Sequence, residues 1–330
     1  MRAFAAEWRR LFHRRALGWL TMAMIVISAL VAVSLWYAYR PPPPAELAQL
    51  NADYQAALTD FNQHKQRYID QCLVAQTISR QTDPSFDGNC TEAGLRPVKG
   101  WTSPDLQTLW DDILGSIGPT LAGFLTLILG ATLIAAEYSS GNLATWLTVE
   151  GRRGRVYLTK LIAAAVGGVF ISLIGLAVML AGAWGAVRLD HGTHRLASDY
   201  WLTVLAPRVT WDVGLVAGAG VLAAGLTFLV RRFWATLALL AGYFVVVEVV
   251  LARFLPLIRP YTLGNAVLAL AGGSRQVAAA HCTLVGTIRF QCQVATAAIS
   301  PLWAGVGLSG LLLLVVLLGW LVFRRRDVAS

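Results

Sequence analysis

The sequence predicts an all-α polytopic membrane protein with six transmembrane helices, and two observations lead to that prediction. Apolar residues make up 56% of the 330-residue chain and charged residues only 14%, whereas about 25% of an average soluble domain is charged. Six apolar runs are also long enough to cross a hydrocarbon layer, which takes about 20 helical residues. Because lipid offers no hydrogen-bond partners to the backbone, each run is predicted to be a helix.

The six predicted spans share an almost continuous apolar composition: Ala16–Tyr39, Ile113–Ala136, Leu161–Val187, Val213–Val230, Phe233–Ala252 and Leu302–Phe323. Around them we expect an interfacial helix over 1–15, a first span over 16–40 and an extracytoplasmic helical insertion over 41–112. The core, over 113–330, then contains an inner loop at 137–160 and an outer loop at 253–300.

The distribution of lysine and arginine predicts that both termini are cytoplasmic. With the N-terminus inside, the inner segments carry fourteen basic and four acidic residues, while the outer segments carry thirteen of each. Cytoplasmic flanks of membrane spans retain positive charge. The asymmetry therefore orients the chain in the plasma membrane, and it explains the pI near 9.8 without a nucleic-acid partner.

The N-terminal residues have the pattern of a helix that lies on the inner leaflet. Phe4, Trp8, Leu11 and Phe12 recur at helical spacing, and arginines occupy most of the remaining positions. Such an arrangement is typical of interfacial amphipathic helices. A plain basic flank of the first span is the alternative.

The insertion over 41–112 begins with four prolines, which favour a stiff polyproline II spacer. From Glu46 onward, apolar residues between Leu47 and Cys72 follow a heptad-like stripe with polar residues between them. This pattern predicts one long amphipathic helix that packs on the rest of the insertion or on a second copy of the chain.

All four cysteines, Cys72, Cys90, Cys282 and Cys292, fall in predicted outer segments. Four cysteines allow three pairings, and proximity in sequence favours Cys72–Cys90 with Cys282–Cys292. Disulfides imply an oxidising outer compartment. A zinc site is the alternative, but the chain has no C-x-x-C motif.

The outer loop over 253–300 is too polar to span and too apolar for an ordinary loop. Pro256, Pro260 and the Gly272-Gly273 pair divide it into short pieces. Short re-entrant helices that enter the membrane from the outer face fit this composition. A small surface loop closed by a disulfide is the alternative.

The inner loop over 137–160 is an amphipathic, basic connector between the second and third spans. A short helix there places Leu143, Trp146 and Leu147 on one side, which suits a groove on a partner protein. Gly141 permits a turn at its margin. Glu137 ends the second span, and we expect it to pair with Arg152, Arg153 or Arg155.

This connector resembles the first cytoplasmic loop of ABC-2-type ABC transporter permeases. The resemblance rests on Glu137-Tyr138, Gly141-Asn142-Leu143, the Arg-rich turn at 152–155 and Lys160, which opens the next span. The chain departs from the usual pattern at Asn142, where threonine is frequent, and at Val149-Glu150-Gly151, where proline is common. The outer loop between spans five and six is similar in position to the re-entrant helices of that family.

The resemblance implies that the connector contains the coupling helix, which docks on a separate ATP-binding subunit. The residues carried over as partner-binding are Glu137, Tyr138, Gly141, Leu143, Trp146, Leu147, Arg152 and Arg153. It also implies a second permease chain, identical or paralogous, and outward transport of an amphipathic small molecule, drug, peptide or lipid-linked substrate. The alternative from another class is a non-transporting sensor or assembly factor that binds a ligand through its outer insertion.

The sequence lacks the common motifs of ATP hydrolysis and of two hydrolase classes. It contains no G-x-x-x-x-G-K-[ST] phosphate loop, no H-E-x-x-H and no G-x-S-x-G. We therefore expect a transport subunit without a cofactor of its own, and ATP and Mg²⁺ on the partner ATPase. His191 and His194, with Asp190 and Asp199 nearby, leave a metal or lipid-processing site as the alternative to ordinary loop histidines.

Glu248 is an ionisable residue inside the fifth predicted span. Such groups are costly in lipid and often functional, so Glu248 is predicted to contact substrate or a gate. A water-exposed carboxylate or a loose pair with Arg253 is the alternative.

The predicted topology is testable by cysteine labelling. A cysteine at Arg232, or one added after Arg326, should react with an impermeant maleimide only after the cells are permeabilised, because both sites lie in basic inner segments. A cysteine at Glu46, in the predicted outer insertion, should react in intact cells. Labelling of either inner site in intact cells would contradict the six-span topology.

Overall fold

The structure is a computed structural model that describes residues 9–82, 89–98, 101, 115–149, 151–189, 201–255, 258–272, 275–285 and 289–325. Within these ranges, six helices are long and apolar enough to cross a membrane, which confirms the polytopic and mainly helical fold. They are Arg15–Ala38, Ile117–Ser139, Arg153–Arg188, Leu202–Val230, Phe233–Phe254 and Pro301–Arg325.

The helices are numbered in chain order, after a short helical stretch at residues 9–13. The first six are α1 (Arg15–Ala38), α2 (Pro44–Thr82), α3 (Glu92–Leu95), α4 (Gly115–Ser139), α5 (Asn142–Val149) and α6 (Arg153–Leu189). A π-helical turn, Trp201–Leu205, leads into α7 (Ala206–Val230). The fifth span consists of α8 (Phe233–Tyr243), a π-helical segment (Phe244–Leu251) and α9 (Ala252–Phe254).

The rest of the chain is a short region that the sequence analysis predicted to be outside, followed by the last span. A 3₁₀ turn, Arg259–Tyr261, precedes α10 (Leu263–Gly272), then strands β1 (Arg275–Val285) and β2 (Arg289–Ile299), and finally α11 (Pro301–Arg325).

The fourth span begins eleven residues before the predicted start at Val213, because its helix continues through Arg208 and Asp212. Charged residues interrupt an apolar run, but they do not interrupt a helix whose neighbours cover them. Asp212 therefore lies inside a span, whereas the sequence analysis counted it among the outer acidic residues.

Three central helices, α4, α6 and α7, pack closely through small residues. A Cβ at Gly130 would lie 2.3 Å from the carbonyl oxygen of Gly220, and a Cβ at Gly220 would lie 2.8 Å from that of Ala164. In lipid, small residues let helix backbones approach and gain dispersion contacts. Any larger residue at Gly130 or Gly220 would push these helices apart.

Aromatic rings join α6, α7 and α11 near the predicted inner end. The Tyr157 ring lies 4.7 Å from that of Phe228, and the Phe228 ring lies 5.1 Å from that of Phe323. The Tyr157 hydroxyl donates to the carbonyl of Val316 at 2.8 Å, so the buried polar atom is satisfied.

The predicted long helix of the insertion is α2, which bends at His64, where the backbone leaves helical dihedral angles (φ −118°, ψ 22°). Beside the bend, the Tyr68 hydroxyl donates to Asp60 at 2.6 Å, and this hydrogen bond lowers the pKa of Asp60. The predicted Cys72–Cys90 disulfide is confirmed, and Lys65 pairs with Glu92 at 2.6 Å. Both links fasten α3 against α2.

The outer loop differs from the predicted series of re-entrant helices. Among the described residues of this loop, only α10 is a helix of more than one turn, and the two strands pair as an antiparallel hairpin. In β2, Gln291 and Gln293 alternate with Cys292 and Val294. This two-residue period suits a strand rather than a helix, and the sequence analysis did not weigh it.

The hairpin register places Cys282 directly opposite Cys292. Directly opposed residues in antiparallel strands have Cα atoms about 4.5–5.5 Å apart, which lies within the span of a disulfide. The predicted Cys282–Cys292 bond is therefore compatible with the backbone register and stays a prediction.

Peptide mapping of the protein from its native membrane, digested without reductant, should recover the peptides of Cys282 and Cys292 joined. Cys282→Ser should leave Cys292 free and the Cys72–Cys90 link intact. Recovery of both cysteines as free thiols, or of either one joined to Cys72 or Cys90, would contradict the pairing.

Candidate partner-docking site

The end of α4, the short helix α5 and the start of α6 meet the N-terminal segment at one end of the bundle. The chain reverses between α4 and α5 at Gly141, which is exposed and has a φ of +67°. A side chain at this φ would be strained, which explains glycine at the turn. The amide of Gly141 donates to the carbonyl of Tyr138 at 3.4 Å.

At this end a single buried carboxylate is shared by two cations. Glu137 is 2% exposed and Lys160 is 3% exposed. Glu137 Oε1 accepts hydrogen bonds from Lys160 Nζ and from Arg14 Nη2. Arg14 Nη1 also donates to the carbonyl of Leu133 at 3.1 Å. The cluster therefore links the start of α1, the end of α4 and the first turns of α6.

The expected partners of Glu137, Arg152, Arg153 or Arg155, are replaced by Arg14 and Lys160. Arg152 and Arg155 are exposed, and Arg153 Nη1 donates to the carbonyl of Arg324 at 3.0 Å. The reason is geometric. The arginines precede or open α6, whereas Lys160 lies about two turns further along and reaches the depth of Glu137.

The apolar side of α5 faces the bundle of its own chain. Leu143 is 1% exposed and belongs to the central core, and Leu147 packs against the same core. The Trp146 ring is half-buried between two cations: the Arg10 guanidinium lies 4.9 Å from its centre and Lys160 Nζ lies 5.6 Å away. These contacts hold α5 against α4, α6 and the N-terminal segment.

The opposite side of α5 is polar, and Asn142, Thr145 and Thr148 are exposed. Leu143 does not project toward a partner, because it is already covered by this chain. Partner contact through the connector stays a prediction. A partner that binds without unfolding α5 would reach the polar side first.

The N-terminal segment contributes packing as well as charge. Residues 9–13 are helical, Leu11 is buried in the core, and the Phe12 ring meets that of Phe170 edge-on at 5.2 Å. Phe4 and Trp8, which the amphipathic pattern includes, lie outside the described residues.

An open groove of about 650 Å³ runs beside this site, between the end of α4 and the start of α8. Ser139, Arg231, Arg232 and Trp234 are among its lining residues. The Arg231 guanidinium lies 5.5 Å from the ring centre of Tyr138. The groove therefore combines two arginines with walls that are mostly apolar.

Glu248 lies in the π-helical segment, in the C-terminal half of the fifth span, whereas the groove beside the docking site lies at the start of that span. Its Oε1 accepts from the amide of Gly264 at 2.7 Å, and the Tyr243 hydroxyl accepts from the amide of Leu263 at 3.2 Å. Amides in the first turn of a helix have no partner within that helix. Glu248 thus caps α10, and its predicted contact with substrate or a gate stays a prediction.

Comparison with known proteins gives no assignment: no family model matches the chain, no curated protein matches its sequence, and no solved structure matches its fold. In the part of the chain that the structure describes, no group of three His, Cys, Asp or Glu side chains is arranged to hold a metal ion. His191 and His194 lie outside the described residues.

The sequence analysis named Lys160 only as the residue that opens the third span, and it missed the contacts of Arg10, Arg14 and Lys160 in this site. One signal was available, since Glu137 and Lys160 are single charges at facing ends of consecutive apolar runs. A lone charge of each sign at one membrane depth favours a pair. Nothing in the sequence marks Arg14, which lies 123 residues from Glu137.

Replacing Trp146 with alanine should loosen two segments at once. The ring's contacts with Arg10 and Lys160 are worth about 0.5–2 kcal/mol, which corresponds to roughly 2- to 30-fold in a local opening equilibrium. Hydrogen exchange followed by mass spectrometry should therefore show faster exchange in residues 142–149 and 9–13.

Trp303→Ala is the matched control, because that ring is 73% exposed. It should leave both segments unchanged, and Trp146→Phe should fall between Trp146→Ala and the wild type. Unchanged exchange in Trp146→Ala would show that the ring does not hold α5 in place.

Proposed function

We propose that the chain is the transmembrane permease subunit of an ATP-driven exporter of the ABC-2 type. The observation that carries the proposal is the short helix α5. Its apolar side packs against the bundle, and its polar side is exposed at that end of the bundle. This is the form expected of a coupling helix between the second and third spans. The basic inner balance of the sequence supports a cytoplasmic position for it.

The ion cluster suits α5 to transmit movement. Charge pairs buried away from water resist separation, because an unpaired buried charge is far less stable. Glu137 precedes α5 by five residues and Lys160 follows it by eleven. Their ion pair therefore joins the two ends of the connector that contains α5. A displacement of α5 would then move the ends of α4 and α6 with it instead of bending the connector.

The energy for transport would come from a separate ATP-binding subunit, since this sequence contains no phosphate loop. Two permease chains and two ATP-binding subunits form the proposed working unit in the plasma membrane. Closure of the ATP-binding pair would push both α5 helices and open the pathway between the permeases outward. The proposed cargo is an amphipathic small molecule, drug, peptide or lipid-linked compound.

A second candidate function is a membrane sensor or assembly factor that binds a ligand through its insertion. One observation favours it: Leu73, Val74 and Ile78 of α2 expose about half or more of their side chains, although α2 is not a predicted span. Exposed apolar side chains that cluster on one helix are typical of binding surfaces.

The polar side of α5 gives the sharpest test of the exporter. Thr145→Asp should reduce recovery of the ATP-binding subunit, because it places a charge without a partner in the proposed interface, and an uncompensated buried charge is strongly destabilising. The measurement is co-purification of the tagged chain with each phosphate-loop ATPase encoded beside its gene, at equal permease yield.

Thr77→Asp is the matched control, an exposed threonine on α2 at the opposite, outer side of the predicted topology. It should co-purify like the wild type. If no neighbouring phosphate-loop ATPase binds the wild-type chain, the exporter proposal fails. If Thr145→Asp and Thr148→Asp both bind at full strength, α5 is not the docking helix.

A further inference from the structure

Asp212 is a buried acid inside the fourth span. It is 6% exposed, and its Oδ1 has no hydrogen-bond partner. An ionisable group within a span is costly unless it is paired, and such groups are usually functional. Neither the packing of α7 nor the partner-docking site uses this carboxylate.

The carboxylate lines a small cavity where α4, α6 and α7 meet. The cavity holds about 20 Å³, and its walls include Pro119 of α4, Ser172 and Met179 of α6, and Val209 of α7. A space of this size accommodates about one water molecule. Asp212 and Ser172 are the two polar side chains among its lining residues.

The nearest cation on the same helix is Arg208, one turn earlier. It is close enough to act electrostatically on Asp212, yet Oδ1 accepts no hydrogen bond. The residues that line the cavity from α4 and α6 carry no ionisable side chain. Among the described residues that line the cavity, one carries a carboxyl group and none carries a cationic side chain.

We infer that this cavity binds the ammonium head of an amphipathic primary amine. An ammonium offers three N–H donors, which suit Asp212 Oδ1 and the Ser172 hydroxyl. A positive charge beside a buried carboxylate offsets the desolvation of both groups when their geometry is good. The cavity holds only the head group but is partly open, so the alkyl chain of the amine would extend out through that opening.

The cavity volume makes the inference specific. A primary ammonium is close to water in size and fits about 20 Å³. A trimethylammonium head is several times larger and would require the helices to separate. The inference deepens the proposed function, on which it rests, by naming a primary amine as the substrate class.

The test measures binding to the purified full chain in detergent and needs no ATP-binding subunit. The probes are hexylammonium, hexyltrimethylammonium and hexan-1-ol, which share one chain length. Thermal unfolding should shift upward with hexylammonium at concentrations where the other two have little effect. Asp212→Asn keeps the side-chain volume and should weaken the response to hexylammonium at least about tenfold.

Ser172→Ala should weaken the response less than Asp212→Asn, and Glu46→Gln, on the exposed start of α2, should leave it unchanged. Equal responses to all three probes, or an unchanged response in Asp212→Asn, would overturn the inference. If the chain binds hexylammonium through Asp212 but binds no ATPase, the amine site stands and the exporter proposal fails. If it binds an ATPase but does not bind hexylammonium through Asp212, the exporter proposal stands and the amine site fails.

Discussion

The carboxylate of Glu137, buried between Lys160 and Arg14, is the interaction on which the predicted inner end of this protein depends. It joins the first, second and third spans through one oxygen atom. Two like charges are held side by side only because the carboxylate lies between them. Removing that carboxylate would leave Lys160 charged and buried, which is a more costly state than the loss of an ordinary hydrogen bond.

The position of α5 follows from this cluster. Lys160 pairs with Glu137 and also lies beside the Trp146 ring, while Leu143 enters the central core. The connector is thus fixed at its base by charge and along its length by packing. Further along the bundle, the close approach at Gly130 and Gly220 leaves α4 and α7 little freedom to slide. The structure therefore favours movement of these helices together over independent bending.

The sequence predicted the parts of the fold that follow from composition and local pattern. Six spans, the long helix after Pro44 and the Cys72–Cys90 bond are all present. Periodicity also identified the apolar side of α5. It did not reveal what that side packs against, because Leu143 in the chain's own core and Leu143 in a partner's groove require the same pattern.

Other features escaped prediction because they depend on distant contacts. Arg14 reaches Glu137 only in the folded bundle, and Asp212 was placed outside a span because a charge ends an apolar run in the sequence but not in the helix. Glu248 was predicted from its cost in lipid, and that cost is reduced by the amide of Gly264 in another element. The hairpin at 275–299 is different, because the two-residue period of β2 is visible in the sequence and was not weighed.

A double-mutant cycle on Glu137 and Lys160 tests the central interaction most directly. Unfolding of the purified chain in detergent would be measured for the wild type, Glu137→Leu, Lys160→Met and the double variant. Glu137→Leu alone should cost about 3–5 kcal/mol because it strands Lys160 in the core. Adding Lys160→Met should restore much of that loss, since the remaining cation, Arg14, is partly exposed. If the two effects simply add, so that the double variant is the least stable of the four, the buried carboxylate does not hold this end of the bundle together.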